Sequence, residues 1–301
     1  MQKINTVISK KNDLKLKQAY MDACSNPKFK EYVDSINLKD DILDKYTSQL
    51  EDVLKEHEHC LSCPSLKDCK NSVRGHFLEA IVEESGLNFA YLPCHYQQRQ
   101  EKITAHLKNM TCYDLPDDIK KASLKEIYKD DKKRLPIIKY FKTFMDAYLN
   151  HEKPKGIYLY GSFGSGKTYL IAALFNELAH KDIASALIYY PEFLRGLKAS
   201  FGSNYEERYQ YIKTVPVLLL DDIGAENVTA WSRDEILGPL LQYRMEEHLP
   251  TFFTSNLTLE ELETNLSLTS NGVDKIKAKR IVERIKQLSI PMALISKNRR
   301  N

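Results

Sequence analysis

Short apolar runs and amphipathic stretches alternate along the chain from residue 156 onward. The apolar runs have the length of single strands, and the stretches between them place apolar residues at helical spacing. Because strands that alternate with helices are typical of a parallel sheet covered by helices on both faces, this pattern predicts an α/β domain. The predicted strands are 156–160, 185–190, 215–221, 251–255 and 290–295.

The first part of the chain, residues 1–110, has the pattern of a small, mostly helical domain. Apolar residues at helical spacing predict helices over 13–24 and 40–58. Between them, Asn26-Pro27 is expected to break the helical pattern. No glycine-rich loop occurs in this part of the sequence.

A charged segment at 111–135 is predicted to be a linker. It contains Leu115-Pro116-Asp117-Asp118 and a basic run that ends at Arg134, a composition typical of a connection between domains. The second domain is therefore predicted at 136–301. Since proline is tolerated in a first helical turn, this domain is expected to open with a helix from Pro136 through Leu149.

The composition is that of an ordinary globular protein. Apolar residues make up 43% of the 301 residues, which argues against wholesale disorder. The net charge of +3 does not indicate nucleic-acid binding by itself, but residues 274–300 hold nine basic and two acidic side chains. No apolar run suggests a membrane span or a signal peptide, so we expect a cytoplasmic protein with reduced thiols.

A phosphate-loop pattern follows the first predicted strand of the second domain. The spacing G-x-x-x-x-G-K-[ST] lets backbone N–H groups curl around phosphates beside the N-terminus of a helix. Lys167 is placed to reach the β- and γ-phosphates of ATP, and the Thr168 hydroxyl to ligate Mg²⁺. The residues predicted to bind the nucleotide are Gly161, Ser162, Phe163, Gly164, Ser165, Gly166, Lys167 and Thr168.

Two further predicted strands end in polar side chains. Asp221 and Asp222 follow a buried apolar run, and Asn256 follows the strand at 251–255. Asp221 is expected to hold Mg²⁺ through water, Asp222 to polarise the attacking water, and Asn256 to orient it near the γ-phosphate. Together with the phosphate loop, these residues predict an ATPase whose hydrolysis acts as a switch.

A metal site is predicted near Cys60-Leu61-Ser62-Cys63. The C-x-x-C spacing lets two thiolates bind one Zn²⁺, and in a small domain such a site would be structural. A redox pair would need a thioredoxin-like context, which is not evident. The sequence leaves the other ligands open. The candidates are Cys69, His76, Cys94 and His95, with His57 and His59 upstream.

The order of these motifs resembles the AAA+ fold. The phosphate loop is followed by Leu-Asp-Asp-Ile-Gly-Ala-Glu at 220–226, Thr-Ser-Asn at 254–256, an R-x-x-x-R helix and a final strand. Within that class the chain is similar to bacterial replicative helicase loaders of the DnaC/DnaI type, and the resemblance extends to the cysteine-rich N-terminal half. Many such ATPases have glutamate where this chain has Asp222. Because only residues 296–301 follow the last predicted strand, we expect an AAA+ domain with a parallel sheet and no helical lid.

The resemblance implies a function and a division of labour. It implies an ATP-dependent primosomal protein that places the replicative hexameric DNA helicase on single-stranded DNA during replication initiation or restart. The N-terminal domain would bind the helicase and one Zn²⁺, and the AAA+ domain would bind ATP and self-associate. The implied zinc ligands are Cys60, Cys63, His76 and Cys94, with Cys69 as the competitor.

The resemblance also implies a function for each of two basic regions. The stretch before the acidic strand would line a surface for single-stranded DNA, where cations track phosphates and aromatic rings stack on bases. The alternative is an amphipathic helix with core aromatics. The DNA-contacting candidates are Arg195, Lys198, Phe201 and Tyr205. Near the C-terminus, Arg284, helped by Arg280, is expected to complete the ATPase site of a neighbouring subunit.

Two other function classes share a phosphate loop. A transposon-type AAA+ DNA-binding regulator would have the ATPase half but should lack a helicase-binding zinc domain. A small-molecule kinase would need an acceptor pocket and a mobile lid, and neither is visible after the phosphate loop.

Overall fold

The computed structural model describes residues 2–84, 86–127, 132–199, 205–269 and 272–299, without the side chains of residues 2–12, 117 and 205. The chain forms two compact units, Met1–Thr104 and Ala105–Asn301. Among the helices in the described ranges, none is both long enough and apolar enough to cross a membrane.

The N-terminal unit begins with helices and continues with a hairpin. Its elements are α1 (Gln2–Ala23), α2 (Pro27–Ile36), α3 (Asp40–Leu43), α4 (Thr47–Leu61), β1 (His76–Glu83), β2 (Gly86–Pro93) and α5 (His95–Thr104). Side chains from the first four helices and from β2 share one apolar core. Its buried members are Tyr20, Phe29, Val33, Leu43, Leu50 and Leu87.

The helical predictions for this unit are partly confirmed. The helix expected at 13–24 lies within α1, and the stretch at 40–58 is divided into α3 and α4 by a 3₁₀ turn at Asp44–Tyr46. Asn26 and Pro27 begin a helix that the prediction missed. The Asn26 side chain accepts a hydrogen bond from the first turn of α2, and Pro27 occupies that turn, where its missing N–H is tolerated.

The antiparallel hairpin β1–β2 corrects the expectation of a mostly helical domain. The two strands pair along their whole length, and α4 packs on them. The buried carboxylate of Glu56 on α4 accepts N–H bonds from Ser72, at 3.0 Å, and from Leu78, at 2.7 Å. These bonds satisfy backbone donors at the start of the hairpin, so a helix side chain fixes the first strand.

The C-terminal unit alternates strands and helices. Its first elements are β3 (Met110–Tyr113), α6 (Asp117–Lys120), α7 (Leu135–Leu149), β4 (Gly156–Tyr160), α8 (Lys167–Ala179), β5 (Ser185–Tyr189), α9 (Tyr190–Ala199) and α10 (Tyr205–Thr214). There follow β6 (Val217–Asp221), a π-helix (Trp231–Leu237) that continues into α11 (Gly238–Glu246), β7 (Thr251–Ser255), α12 (Leu259–Ser267), β8 (Leu268–Thr269), β9 (Gly272–Val273), α13 (Lys275–Leu288) and β10 (Ser289–Ala293).

Six parallel strands form the central sheet, in the order β10-β4-β7-β6-β5-β3. Alternate strand residues enter two apolar cores, one on each face: Ile157 and Leu219 belong to one core, and Tyr158 and Leu220 to the other. The predicted α/β architecture is therefore confirmed. All five predicted strands are present, and the helix expected from Pro136 through Leu149 is α7.

The boundary between the units differs from the expected linker at 111–135. The division falls between Thr104 and Ala105, and most of β3 lies within the supposed linker. This strand pairs with β5 at the edge of the sheet, and Ala122 and Ile127 are buried in the core beyond it. The strand was missed because it has only four residues and a turn with Pro116 follows it.

Candidate functional site

The phosphate loop connects β4 to α8. Gly164 and Gly166 have positive φ angles of 66° and 85°, which side chains with a Cβ rarely adopt. Gly166 lies immediately before Lys167, so the loop turns directly into the first turn of α8. This is the strand–loop–helix context that the glycine spacing predicts, and it leaves backbone N–H groups at the N-terminus of a helix for an anion.

Lys167 is buried at the base of this loop. Its ammonium donates to the carbonyl oxygens of Gly161 and Ser162, each at 3.0 Å, and to Asn256 Oδ1 at 2.8 Å. Asn256 follows β7, which pairs with β4, so sheet order brings the two side chains together. The lysine is thereby held where its charge faces the loop.

Asp221 is joined to two hydroxyl groups at the end of β6. Its Oδ1 accepts from Thr168 Oγ1 at 2.7 Å and from Thr254 Oγ1 at 2.6 Å. Burial raises the pKa of Asp221 to about 6, although both hydroxyl bonds oppose the shift. A carboxylate bonded to the threonine of a phosphate loop is an oxygen donor set suited to Mg²⁺. The sequence did not assign a role to Thr254.

Asp222 has a left-handed backbone, with φ of 57°. Its N–H donates to Thr254 Oγ1 at 2.8 Å, and its Oδ1 accepts from Asn256 Nδ2 at 3.0 Å. Thr254 therefore contacts both acidic residues, and Asn256 links Asp222 to Lys167. Lys167, Asn256 and Asp222 are joined through their side chains, and Asp221 is joined to them through Thr254, which accepts from the Asp222 backbone N–H.

These side chains line a cavity of about 920 Å³ that also contains the loop residues Phe163 to Thr168. A second part of its wall comes from the supposed linker, through Leu115, Ile119 and Glu126. The apolar part of this wall could hold a nucleoside beside the loop, since ligand sites combine apolar surface with a few polar groups. No spacing pattern in the sequence pointed to this wall.

The replicative helicase loader DnaI of Bacillus subtilis (strain 168) is 35% identical over 262 residues, which are 86% of this chain and 84% of that protein. This chain belongs to the DnaI family of replicative helicase loaders. No protein-family model matches it.

Solved structures agree with this family. A crystal structure of DnaI is 45% identical and covers 65% of this chain and 99% of its own, with a TM-score of 0.58. A crystal structure of the DnaC helicase loader is 22% identical, covers 60% of this chain and 99% of its own, and has a TM-score of 0.50. The latter likeness supports the fold alone.

Two arginines that the sequence did not single out for the site line the cavity of this DnaI-family chain: Arg134 and Arg299. Arg134 is buried, and its Nη2 donates to the carbonyl of Ser165 at 2.6 Å. The predicted Arg280 and Arg284 are not among the lining residues. On α13, Arg280 is exposed, whereas Arg284 donates from Nη1 to the carbonyl of Gly238 at 3.0 Å.

A second, half-buried carboxyl with a raised pKa lies in the Leu-Asp-Asp-Ile-Gly-Ala-Glu stretch. Burial raises the pKa of Glu226 to about 7, while the Gly224 N–H, which donates to Glu226 Oε2 at 2.7 Å, opposes the shift. The charge of Asp222 raises it further. The edge of the sheet therefore holds carboxyl groups whose negative charges are poorly solvated.

The cysteine region does not form the expected metal site. Among the described residues, no three or more His, Cys, Asp or Glu side chains are grouped to hold a metal ion. The set Cys60, Cys63, His76 and Cys94 is thus not assembled: Cys63 Sγ lies 3.3 Å from the Ser65 carbonyl, and His76 Nδ1 lies 3.2 Å from the Arg74 carbonyl. Local backbone groups hold these two side chains.

The Cys60 thiol is half-buried and interacts electrostatically with other cysteines of this region. Burial raises the pKa of Cys60, and the charges of Cys94, Cys69 and Cys63 add to that shift. The Asn71 amide donates to Cys60 Sγ at 3.3 Å. The N–H of Gly75 donates to Cys69 Sγ, also at 3.3 Å. Cys69 therefore belongs to the same neighbourhood as the C-x-x-C pair.

The predicted DNA surface lies on α9. Arg195 and Lys198 are exposed, and Arg195 pairs with Glu192 at 2.7 Å. The apolar side of the same helix, Phe193 and Leu197, is buried in the core. Phe201 and the side chain of Tyr205 lie outside the described residues. The cations therefore face solvent, while the two aromatic rings of α9, Tyr190 and Phe193, are buried.

Proposed function

We propose that this chain is an ATP-dependent loader that delivers the replicative DNA helicase onto single-stranded DNA in the bacterial cytoplasm, during replication initiation or restart. The observation that carries the proposal is the network of Lys167, Thr168, Asp221, Asp222 and Asn256 at one edge of the sheet. In a DnaI-family chain, such a network is placed to bind ATP and to respond to its hydrolysis.

Each side chain of the network has a distinct role. Lys167 exchanges its bonds to the loop carbonyls for bonds to the β- and γ-phosphates. Thr168 and Asp221 would hold Mg²⁺, which would neutralise phosphate charge. Asp222 accepts a proton from the attacking water, and Asn256, already bonded to Asp222, orients that water.

The site is completed by an arginine of a neighbouring subunit. Both candidates lie on α13, and neither Arg280 nor Arg284 lines the cavity of its own chain. The family resemblance favours Arg284 as this arginine. In the structure, however, Arg280 is exposed, whereas Arg284 is bonded to Gly238 of its own chain. These observations favour Arg280 as the side chain that reaches the site of the neighbouring subunit.

The N-terminal unit binds the helicase and carries one structural Zn²⁺. The proposed ligands are Cys60, Cys63, His76 and Cys94, with Cys69 as the competitor of His76, since thiolate sulfur and imidazole nitrogen are the donors that zinc prefers. Cys63 and His76 would leave their contacts with backbone carbonyls, and metal binding would release the thiol protons to solvent.

Purified replicative helicase tests this function. The chain, with an affinity tag, should retain the helicase, and the retained complex should bind single-stranded DNA when ATP is present. DNA binding should weaken as salt rises, because Arg195 and Lys198 contact phosphates. If the helicase is not retained at any nucleotide condition, the chain is not its loader.

A further inference from the structure

The segment that follows β10, residues 294–299, packs on the phosphate loop. Its first residue extends the pairing with β4, since the Leu294 N–H donates to the Tyr160 carbonyl at 2.7 Å. The Lys133 ammonium then donates to the carbonyl of Ile295 at 2.6 Å. Two bonds therefore direct the chain from the last strand toward the loop.

The end of this segment contacts the loop itself. The Arg299 N–H donates to the Gly164 carbonyl at 2.9 Å. A Cβ at Gly164 would overlap the side chain of Asn298, so that side chain lies directly against the loop. The Arg299 side chain lines the nucleotide cavity together with Lys167 and Asp222. A cation outside every recognised motif is thus placed beside the phosphate loop.

The charges of the site call for such a cation. Asp221 and Asp222 add negative charge next to a polyanionic ligand, and Lys167 is the cation that the motif supplies. Arg134 is buried and bonded to the loop carbonyl of Ser165, which supports the loop. Arg299 is joined to the loop through its backbone N–H. A guanidinium on a phosphate chain forms short, charge-assisted bonds that a lysine forms less well.

We propose that Arg299 is a phosphate-binding residue of the nucleotide site in its own chain. The proposal rests on the proposed binding of ATP. The segment 294–299 then lies across the loop, and a bound triphosphate holds the Arg299 side chain in place. The arginine of the same chain binds the ligand, whereas the arginine of the neighbour serves hydrolysis.

Nucleotide affinity tests this role. Arg299→Ala should weaken the binding of a fluorescent ATP analogue by about tenfold or more, since a charge-assisted bond is lost. Lys297→Ala is the matched control, because Lys297 lies in the same segment, is exposed and does not line the cavity. It should bind the analogue as the wild type does. Arg299→Lys should recover part of the affinity, since it keeps the charge.

The melting temperature without nucleotide separates binding from folding. It should be unchanged in Arg299→Ala and in Arg299→Gln, because both keep the backbone bond to Gly164. Wild-type affinity in both variants would overturn the role of Arg299, and so would an equal loss in Lys297→Ala. If the wild-type chain binds no ATP analogue, the proposed function fails instead.

Discussion

The nucleotide edge of the sheet and the cysteine region of the N-terminal unit contain equally recognisable motifs, but only the first is assembled. Lys167, Asp221 and Asn256 follow or end three strands that are neighbours in the parallel sheet, so topology forces them together. Cys60 lies in the last turn of α4, whereas Cys63 and Cys69 lie in an irregular segment. Residues on adjacent strands are positioned by the fold, while loop ligands depend on the ion that they bind.

Removal of zinc should have the largest effect. The freshly purified chain should contain one Zn²⁺, and a strong chelator should unfold the N-terminal unit, because structural zinc contributes on the order of 10 kcal/mol in small domains. Elemental analysis and far-UV circular dichroism measure the two results.

Two variants decide the ligand set. Cys69→Ser should keep the zinc and His76→Ala should lose it, if Cys60, Cys63, His76 and Cys94 supply the ligands. The opposite result would select Cys69. If the purified chain contains no zinc, the cysteine region is not a zinc site, and zinc cannot explain why it differs from the nucleotide edge.

Loss of the neighbouring arginine should reduce hydrolysis by about 10³- to 10⁵-fold. Arg280→Ala and Arg284→Ala are each mixed with Lys167→Ala, and ATPase activity is measured. In a mixed assembly, the arginine variant supplies an intact loop and Lys167→Ala supplies an intact arginine. Activity should therefore return in the mixture whose arginine variant is inactive when alone. Mixtures as inactive as their components, with assembly intact, would place the arginine in its own chain or remove its role.

Asp222→Asn should slow hydrolysis by about 10²- to 10⁴-fold and leave ATP binding intact. The amide can still accept the bond from Asn256, but it cannot take a proton from water. Glu235→Gln is the control, since Glu235 is an exposed carboxylate of the same unit. Normal turnover by Asp222→Asn would assign the general base elsewhere.

The free energy of unfolding should fall by about 1–3 kcal/mol less in Glu226→Gln than in the wild type when the pH is raised from 4 to 8. The pKa of Glu226 is raised to about 7 in the folded chain, so its contribution to stability is present below its unfolded pKa and is lost as pH rises through about 7. The variant stays neutral and can still accept from Gly224. Its melting temperature should exceed that of the wild type at pH 8 but not at pH 4.

Much of the nucleotide site could be predicted because its residues have fixed spacing from apolar strands. The bounds of β4 and β7 match the predicted strands, and Asn256 was assigned from its place after β7. Thr254, two positions before the predicted Asn256, could have been found by asking which hydroxyl faces Asp221. Arg134 and Arg299 could not be found, because only tertiary folding brings them to the cavity.

The rest of the fold was missed where local signals are weak. Strand β3 is short and lies at the edge of the sheet, so its apolar pattern is too brief to stand out from a charged segment. The strands of the hairpin β1–β2 do not alternate strictly between apolar and polar residues, and α4 supplies the bonds that fix the first strand. Tertiary contacts decide both elements.

Helicase loading itself is tested most directly by the retention of purified replicative helicase on single-stranded circular DNA. With ATP, the wild-type chain and the control Lys181→Ala should increase the amount of DNA-bound helicase. Lys167→Ala should not, because the loop loses the cation that binds the phosphates. Equal retention with Lys167→Ala, or with no loader present, would contradict an ATP-dependent loader.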